Sequence, residues 1–139
     1  MIMTRINLVD PAQLTSKHLM AEYRELPRIF TAVLKLQDNF SRPKDVDIPS
    51  EYVLGIGHMK FFYDKISWLE LRYRALYKEL IERGFNLDIN LYRQVLLSAI
   101  DIQPRWRGDY TPLPEEIYLN MIRICKRSNL DSVLKEMEA

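Results

Sequence analysis

The chain has 139 residues and a net charge of +1, with nearly half its residues apolar and only four glycines. That length suits one domain, 1–139, with a substantial core, and no apolar run approaches the ~20 residues of a membrane span or forms the core of a signal peptide. The lone Cys125 excludes an internal disulfide and a cysteine-based zinc site, so a reducing, cytoplasmic setting is expected.

Asp10-Pro11 supplies an acidic cap and a proline suited to the first position of a helix. Helical spacing then continues to about Gln37, with Met20, Tyr23, Pro27, Phe30 and Val33 on the face expected to be buried. Residues 38–52, with two prolines and mixed charge, read as an irregular loop. A second long helix is expected from Gly57 or His58. Its apolar stripe comprises Met59, Phe62, Tyr63, Ile66, Leu69, Tyr73, Leu76, Tyr77 and Leu80, and Arg83-Gly84 ends it. A shorter helix spans residues 90–100, and another begins at Pro114, with Glu115 and Glu116 at its start and Lys126 and Arg127 near its end. Leu130, Val133, Leu134 and Met137 give the tail an amphipathic stripe. No pair of alternating strands joined by a hairpin turn is visible. The expected fold is all-α, with three main helices and one or two short ones.

The first helix carries the most chemistry. At 100° per residue, His18, Glu22, Glu25 and Ile29 share a stripe at the edge of the buried face, and Arg24 and Arg28 form a second stripe beside it. Pro27 has no N–H to offer the Tyr23 carbonyl, so the helix should bend near Glu25 and gather these charges around a shallow concavity. An ordinary solvated face with helix ion pairs would show the same residues. His18 and Glu22 stand four residues apart, as metal ligands can, but no third ligand accompanies them. "GIGH" (55–58) reads as a flexible lead-in to the second helix whose backbone amides could touch phosphate, and "RGD" (107–109) as a chance match to a cell-adhesion signal. Residues 1–107 hold sixteen Lys and Arg against thirteen Asp and Glu, and the remainder four against six. This is a weak lean toward a nucleic-acid surface.

"MTRINL" (3–8), "HLMAEYRELPR" (18–28), "LGIGHMKFFYDK" (54–65), "RGFN" (83–86) and "RGDYTP" (107–112) occur in an order that resembles the phage-type pyrimidine-dimer DNA glycosylase and abasic-site lyase family, the endonuclease V of the T-even phages. The resemblance implies an all-α repair enzyme that acts on ultraviolet-damaged double-stranded DNA without a metal or other cofactor. Such enzymes cut the glycosyl bond of the 5′ pyrimidine in a cyclobutane dimer and then break the strand at the abasic site. By this resemblance Thr4 supplies an α-amine nucleophile that forms an imine with the sugar C1′, and Glu25 assists. Arg5, His18, Arg24 and Arg28 line the site or hold the distorted DNA, and Arg123 and Arg127 are further basic DNA contacts. An α-amine suits imine chemistry, because its reference pKa of about 7.7–8.0 leaves a nucleophilic fraction near pH 7.

The chain departs from the family pattern at both ends. Met1-Ile2 precede "MTRIN", whereas the chemistry needs the Thr4 amine free, so a start at Met3 followed by its removal is expected. The tail, 128–139, ends in "LKEMEA", amphipathic and acidic where the phage enzyme is aromatic and basic. Two other functions therefore stay open: a lyase for abasic sites or another damaged base, and a catalytically silent protein that bends or binds damaged DNA. A monomer working in the cytoplasm of a bacterium or a phage-infected cell is the expected setting.

Overall fold

The computed structural model describes residues 5–125. Its helices are α1 (Ser16–Glu25), α2 (Pro27–Asp38), α3 (His58–Phe61), α4 (Ile66–Glu82) and α5 (Ile89–Ile100), followed by α6 over residues 114–125. No strand is present among the described residues; the nearest approach is an isolated antiparallel bridge between Lys65 and Arg107. The all-α expectation holds, and the helix boundaries differ from those expected. Asp10 caps only a 3-10 turn, Pro11–Gln13. The helix itself starts after Thr15, whose hydroxyl accepts the His18 N–H.

The long first helix is two helices. Leu26 keeps right-handed helical angles (φ −53°, ψ −41°) and donates to the Glu22 carbonyl. Pro27 cannot donate to Tyr23, so α2 restarts with proline at its first position, where the missing N–H is harmless. The second long helix is also divided, into the single turn α3 and the seventeen-residue α4. Where α4 stops, Gly84 adopts φ +91° and the Phe85 N–H closes on the Leu80 carbonyl at 3.1 Å. This is the glycine-dependent stop that "RG" suggested.

Helices α1, α2 and α4 surround the core, with α5 against α2 and α4. The buried face of α1 and α2 is Leu19, Glu22, Tyr23, Leu26, Ile29, Phe30 and Val33, while Met20 and Pro27 are only half-buried. The core thus lies slightly around the helix from the expected stripe, and it takes in Glu22 and Ile29. Facing it, α4 buries Ile66, Leu69, Arg72, Tyr73, Leu76 and Leu80. Tyr23 stacks on Tyr73 at 5.0 Å and Phe30 meets Tyr73 edge-on; such pairs add about 0.5–1.5 kcal/mol each beyond simple burial. No helix among the described residues is long and apolar enough to cross a membrane.

The "RGD" stretch is structural. A Cβ on Gly108 would stand 2.5 Å from the Asp64 carbonyl oxygen, to which the Gly108 N–H donates at 2.9 Å. Arg107 donates to the Ala99 carbonyl and to Glu70. Glu116, in the first turn of α6, accepts the Leu113 and Tyr52 N–H groups and the Tyr110 hydroxyl. Burial pushes its carboxyl up, but these bonds outweigh that and hold it below the ordinary range.

Two opposite charges lie inside the core. Arg72 Nε and Nη2 donate to Glu22 at 2.7 and 3.0 Å, with the two side chains only 6% and 1% exposed. The remaining valences reach the chain's first segment: Arg72 Nη1 donates to the Val9 carbonyl at 2.6 Å, and Glu22 Oε1 accepts from Asn7 Nδ2 at 2.9 Å. Removing one partner strands the other's charge, so Glu22→Ala should cost about 3–5 kcal/mol in urea unfolding. The double variant Glu22→Leu with Arg72→Met should be less destabilised than Glu22→Ala, although Asn7 and Val9 lose partners in it too.

Candidate active site

Residues 5–9 form neither helix nor sheet, and residues 6–9 are buried, so their backbone groups must be satisfied by side chains. His58 Nε2 accepts the Ile6 N–H at 2.8 Å, and the Tyr52 hydroxyl donates to the Ile6 carbonyl at 3.1 Å. Asn120, on α6, accepts the Leu8 N–H at 2.7 Å and donates to Asn7 Oδ1 at 2.9 Å. Together with Arg72 and Glu22 these bonds fix the segment from several sides. At its outer end the Arg5 N–H points to Glu25 Oε2 at 3.3 Å.

Glu25 is therefore where two constraints meet. It is the last residue of α1 because Pro27, two residues on, interrupts the helix, and its carboxylate accepts the Arg5 N–H of the clamped segment. Half-buried Arg5 adjoins it, and exposed Arg24 and Arg28 flank the helix break on either side. Arg123, half-buried on α6, lies close enough to His58 and Tyr52 for its charge to act on both, as Arg5 acts on His58. The structure thus gathers Arg5, Glu25 and Arg123 around the clamped segment.

His18 and Glu22 lie apart from that group. His18 sits in the first turn of α1, with Nδ1 3.1 Å from Thr15 Oγ1. It precedes Glu25 by seven positions, about 10 Å along the helix. Glu22 leaves the expected charged concavity altogether: it is a core residue bound to Arg72 and Asn7, and its carboxylate serves position rather than solvent or metal. Among the described residues, no group of three or more His, Cys, Asp and Glu is disposed to hold a metal ion. Thr4, Arg127 and the Leu130–Met137 stripe lie outside the described residues.

The residues missed in the sequence are those that hold the segment: Asn7, Tyr52, His58, Arg72 and Asn120. "GIGH" contributes its histidine as an anchor. An amide N–H can only donate and a carbonyl can only accept, so the contacts at Ile6 and at the Val53 carbonyl (2.7 Å from Nδ1) define a neutral ring protonated on Nδ1. Burial lowers the His58 pKa from 6.5 to about 4; the hydrogen bond to Val53 opposes this, and the charges of Arg123 and Arg5 reinforce it. A neutral buried histidine contributes its stability fully above the unfolded pKa, and that stability is lost as pH falls from about 6.5 toward 4. Unfolding midpoints in urea should fall between pH 7 and pH 5 in the wild type. The fall should be much shallower in His58→Gln, which cannot take up a proton there.

The sequence model of the pyrimidine dimer DNA glycosylase family matches residues 3–93. The match takes in the clamped segment, the helix break at Pro27, the His58 loop and all of α4. It covers well over half of the chain, and with it the 139-residue protein belongs to the pyrimidine dimer DNA glycosylase family.

Proposed function

We propose that the protein excises the 5′ pyrimidine of cyclobutane pyrimidine dimers in duplex DNA and then breaks the strand, with the α-amine of Thr4 as nucleophile and Glu25 as its acid–base partner. The observation that carries this reading is the 3.3 Å approach of the Arg5 N–H to Glu25, held from behind by the buried clamp. Thr4 is bonded to Arg5, and covalent geometry alone keeps its nitrogen within about 4 Å of the Arg5 nitrogen. Family membership supplies the substrate class.

Attack of the neutral amine on C1′ breaks the bond between C1′ and the pyrimidine nitrogen, whose electron pair leaves with the base. Opening of the sugar ring then gives an imine between C1′ and the Thr4 nitrogen. Glu25, as an anion beside C1′, stabilises the positive charge that develops there, takes the proton that the attacking amine gives up, and passes it to the ring oxygen as that oxygen leaves. The imine acidifies C2′. Loss of a C2′ proton to Glu25 and departure of the 3′ phosphate complete the β-elimination, and water frees the amine. This route requires Thr4 to be the first residue of the working enzyme.

Arg5, Arg24, Arg28 and Arg123 are the cations that would neutralise phosphates around a kinked duplex, with Arg127 beyond them in the sequence. Guanidinium groups pair well with phosphate oxygens, and binding through several of them weakens steeply with salt. His18, a helical distance away, belongs to the rim of this surface rather than to the reacting centre. The protein works as a monomer on damaged double-stranded DNA, in the cytoplasm of a bacterial or phage-infected cell.

The test is single-turnover incision of a duplex carrying one thymine dimer, with the chain beginning at Thr4. Glu25→Gln can still accept the Arg5 N–H but cannot move a proton. It should bind the duplex like wild type and excise the base about 10²–10⁴-fold more slowly. Wild-type excision in Glu25→Gln would remove Glu25 from the chemistry. A wild-type chain that cuts abasic sites but leaves dimers intact would favour a lyase of altered lesion preference, and one that binds without cutting would favour a silent DNA-binding protein.

A further inference from the structure

Ile56 is 99% exposed, a large apolar side chain with its whole surface in solvent. Gly55 and Gly57, on either side, have φ +78° and +89°, angles that other L-residues rarely adopt. A Cβ on Gly55 would meet nothing within 4 Å, so no neighbour requires a glycine there and its conformation alone does. The two left-handed residues turn the chain sharply and leave Ile56 at the tip.

The foot of this turn is braced. A Cβ on Gly57 would approach Pro49 Cγ to 3.1 Å, the His58 N–H donates to the Gly55 carbonyl at 3.1 Å, and the His58 ring bridges Val53 and Ile6. Ile6 is next to Arg5, whose N–H meets Glu25. The tip therefore stands two residues from His58, which anchors the clamped segment and whose ring feels the charges of Arg5 and Arg123. Phe40, 92% exposed at φ 61°, is the nearest parallel. It lies beyond the far end of twelve-residue α2, about 18 Å of helix away from the break at Pro27.

We propose that Ile56 is a wedge that enters the base stack beside the lesion and helps open it for attack. This inference rests on the reading of the protein as a dimer glycosylase and adds the residue that determines access to the lesion. The glycosyl bond of a stacked nucleotide is shielded, and proteins that kink duplexes commonly insert an apolar side chain between base steps. An isoleucine makes no hydrogen bonds to base edges, so it tests stacking rather than sequence. A step already weakened by a dimer opens at the least cost, and the wedge thereby favours damaged over intact DNA. Exposed apolar surface at the tip, guanidinium charge at the foot and the carboxylate behind them match what this task requires.

The test uses the chain beginning at Thr4 and its variants Ile56→Ala and Ile56→Leu, which should melt like wild type because the side chain touches nothing it could destabilise. Substrates are a dimer duplex with 2-aminopurine opposite the adjoining base step, and a single-stranded oligonucleotide with one abasic site. Ile56→Ala should lose most of the 2-aminopurine fluorescence rise and excise the dimer base at least about tenfold more slowly. It should cut the single strand at the wild-type rate, and Ile56→Leu should stay close to wild type on both substrates. Wild-type fluorescence and excision in Ile56→Ala would overturn the wedge, as would equal losses on both substrates, since those would mark a loop that merely supports the site. Failure of the wild-type chain itself to excise the dimer would instead overturn the glycosylase reading, and the wedge with it.

Discussion

The Glu22–Arg72 ion pair is the interaction on which the rest of this structure depends. A carboxylate and a guanidinium withdrawn from water gain little net stability over an apolar pair of the same size, because desolvation consumes most of their attraction. What an apolar pair could not do is reach out. Each ion here has hydrogen-bonding capacity left after satisfying the other, and both spend it on the segment before the first helix, at Asn7 and Val9. The core thus holds a stretch of chain that forms neither helix nor sheet, and His58, Tyr52 and Asn120 extend the same hold outward. Position, rather than stability, is the yield of the buried charges.

The helix break acts with this clamp. Without Pro27, α1 and α2 would continue as one rod and the carboxylate of Glu25 would sit mid-helix, one exposed acid among several. With Pro27, Glu25 is the last residue of α1 and accepts the Arg5 N–H of the clamped segment. A rigid core delivers a backbone, an interrupted helix delivers a carboxylate, and the two meet beside half-buried Arg5 and exposed Arg24 and Arg28. On the proposed chemistry the nucleophile is a chain terminus, which has no scaffold of its own. The clamp explains how such a group could be held as firmly as a side chain on a helix.

Much of this was legible in the sequence, and the parts that were not have identifiable causes. Helical periodicity gave the elements because most of the buried faces are apolar. The boundaries failed where capping decided them: Asp10-Pro11 has the chemistry of a helix start, yet it initiates one turn and Thr15 makes the real cap. In the sequence Glu22 looks like an edge residue, because a carboxylate on a helix is usually exposed and period alone cannot tell a paired core acid from a wet one. The discriminating signal was present in the pairing. Arg72 falls between Leu69 and Tyr73 on the apolar face of α4, and Glu22 between Leu19 and Tyr23 on that of α1. Two opposite charges, each at the margin of an apolar stripe, call for one another. His58, Asn120 and Tyr52 carried no comparable signal, since each of them holds a backbone group of a segment without periodicity. Glu25 and the arginines of the helix break came from the motif "HLMAEYRELPR", where pattern alone left a solvated face equally acceptable.

The most direct test of the account is to map the covalent intermediate. Chains beginning at Met1 and at Thr4, each verified by intact mass, are mixed with a dimer-containing duplex and reduced with borohydride, and the adduct is located by peptide mass spectrometry. An adduct is expected on the α-nitrogen of Thr4 in the chain that begins there, and none from the chain that begins at Met1. An adduct on a lysine, or equal trapping by both chains, would contradict the claim that the clamp presents this terminus to Glu25.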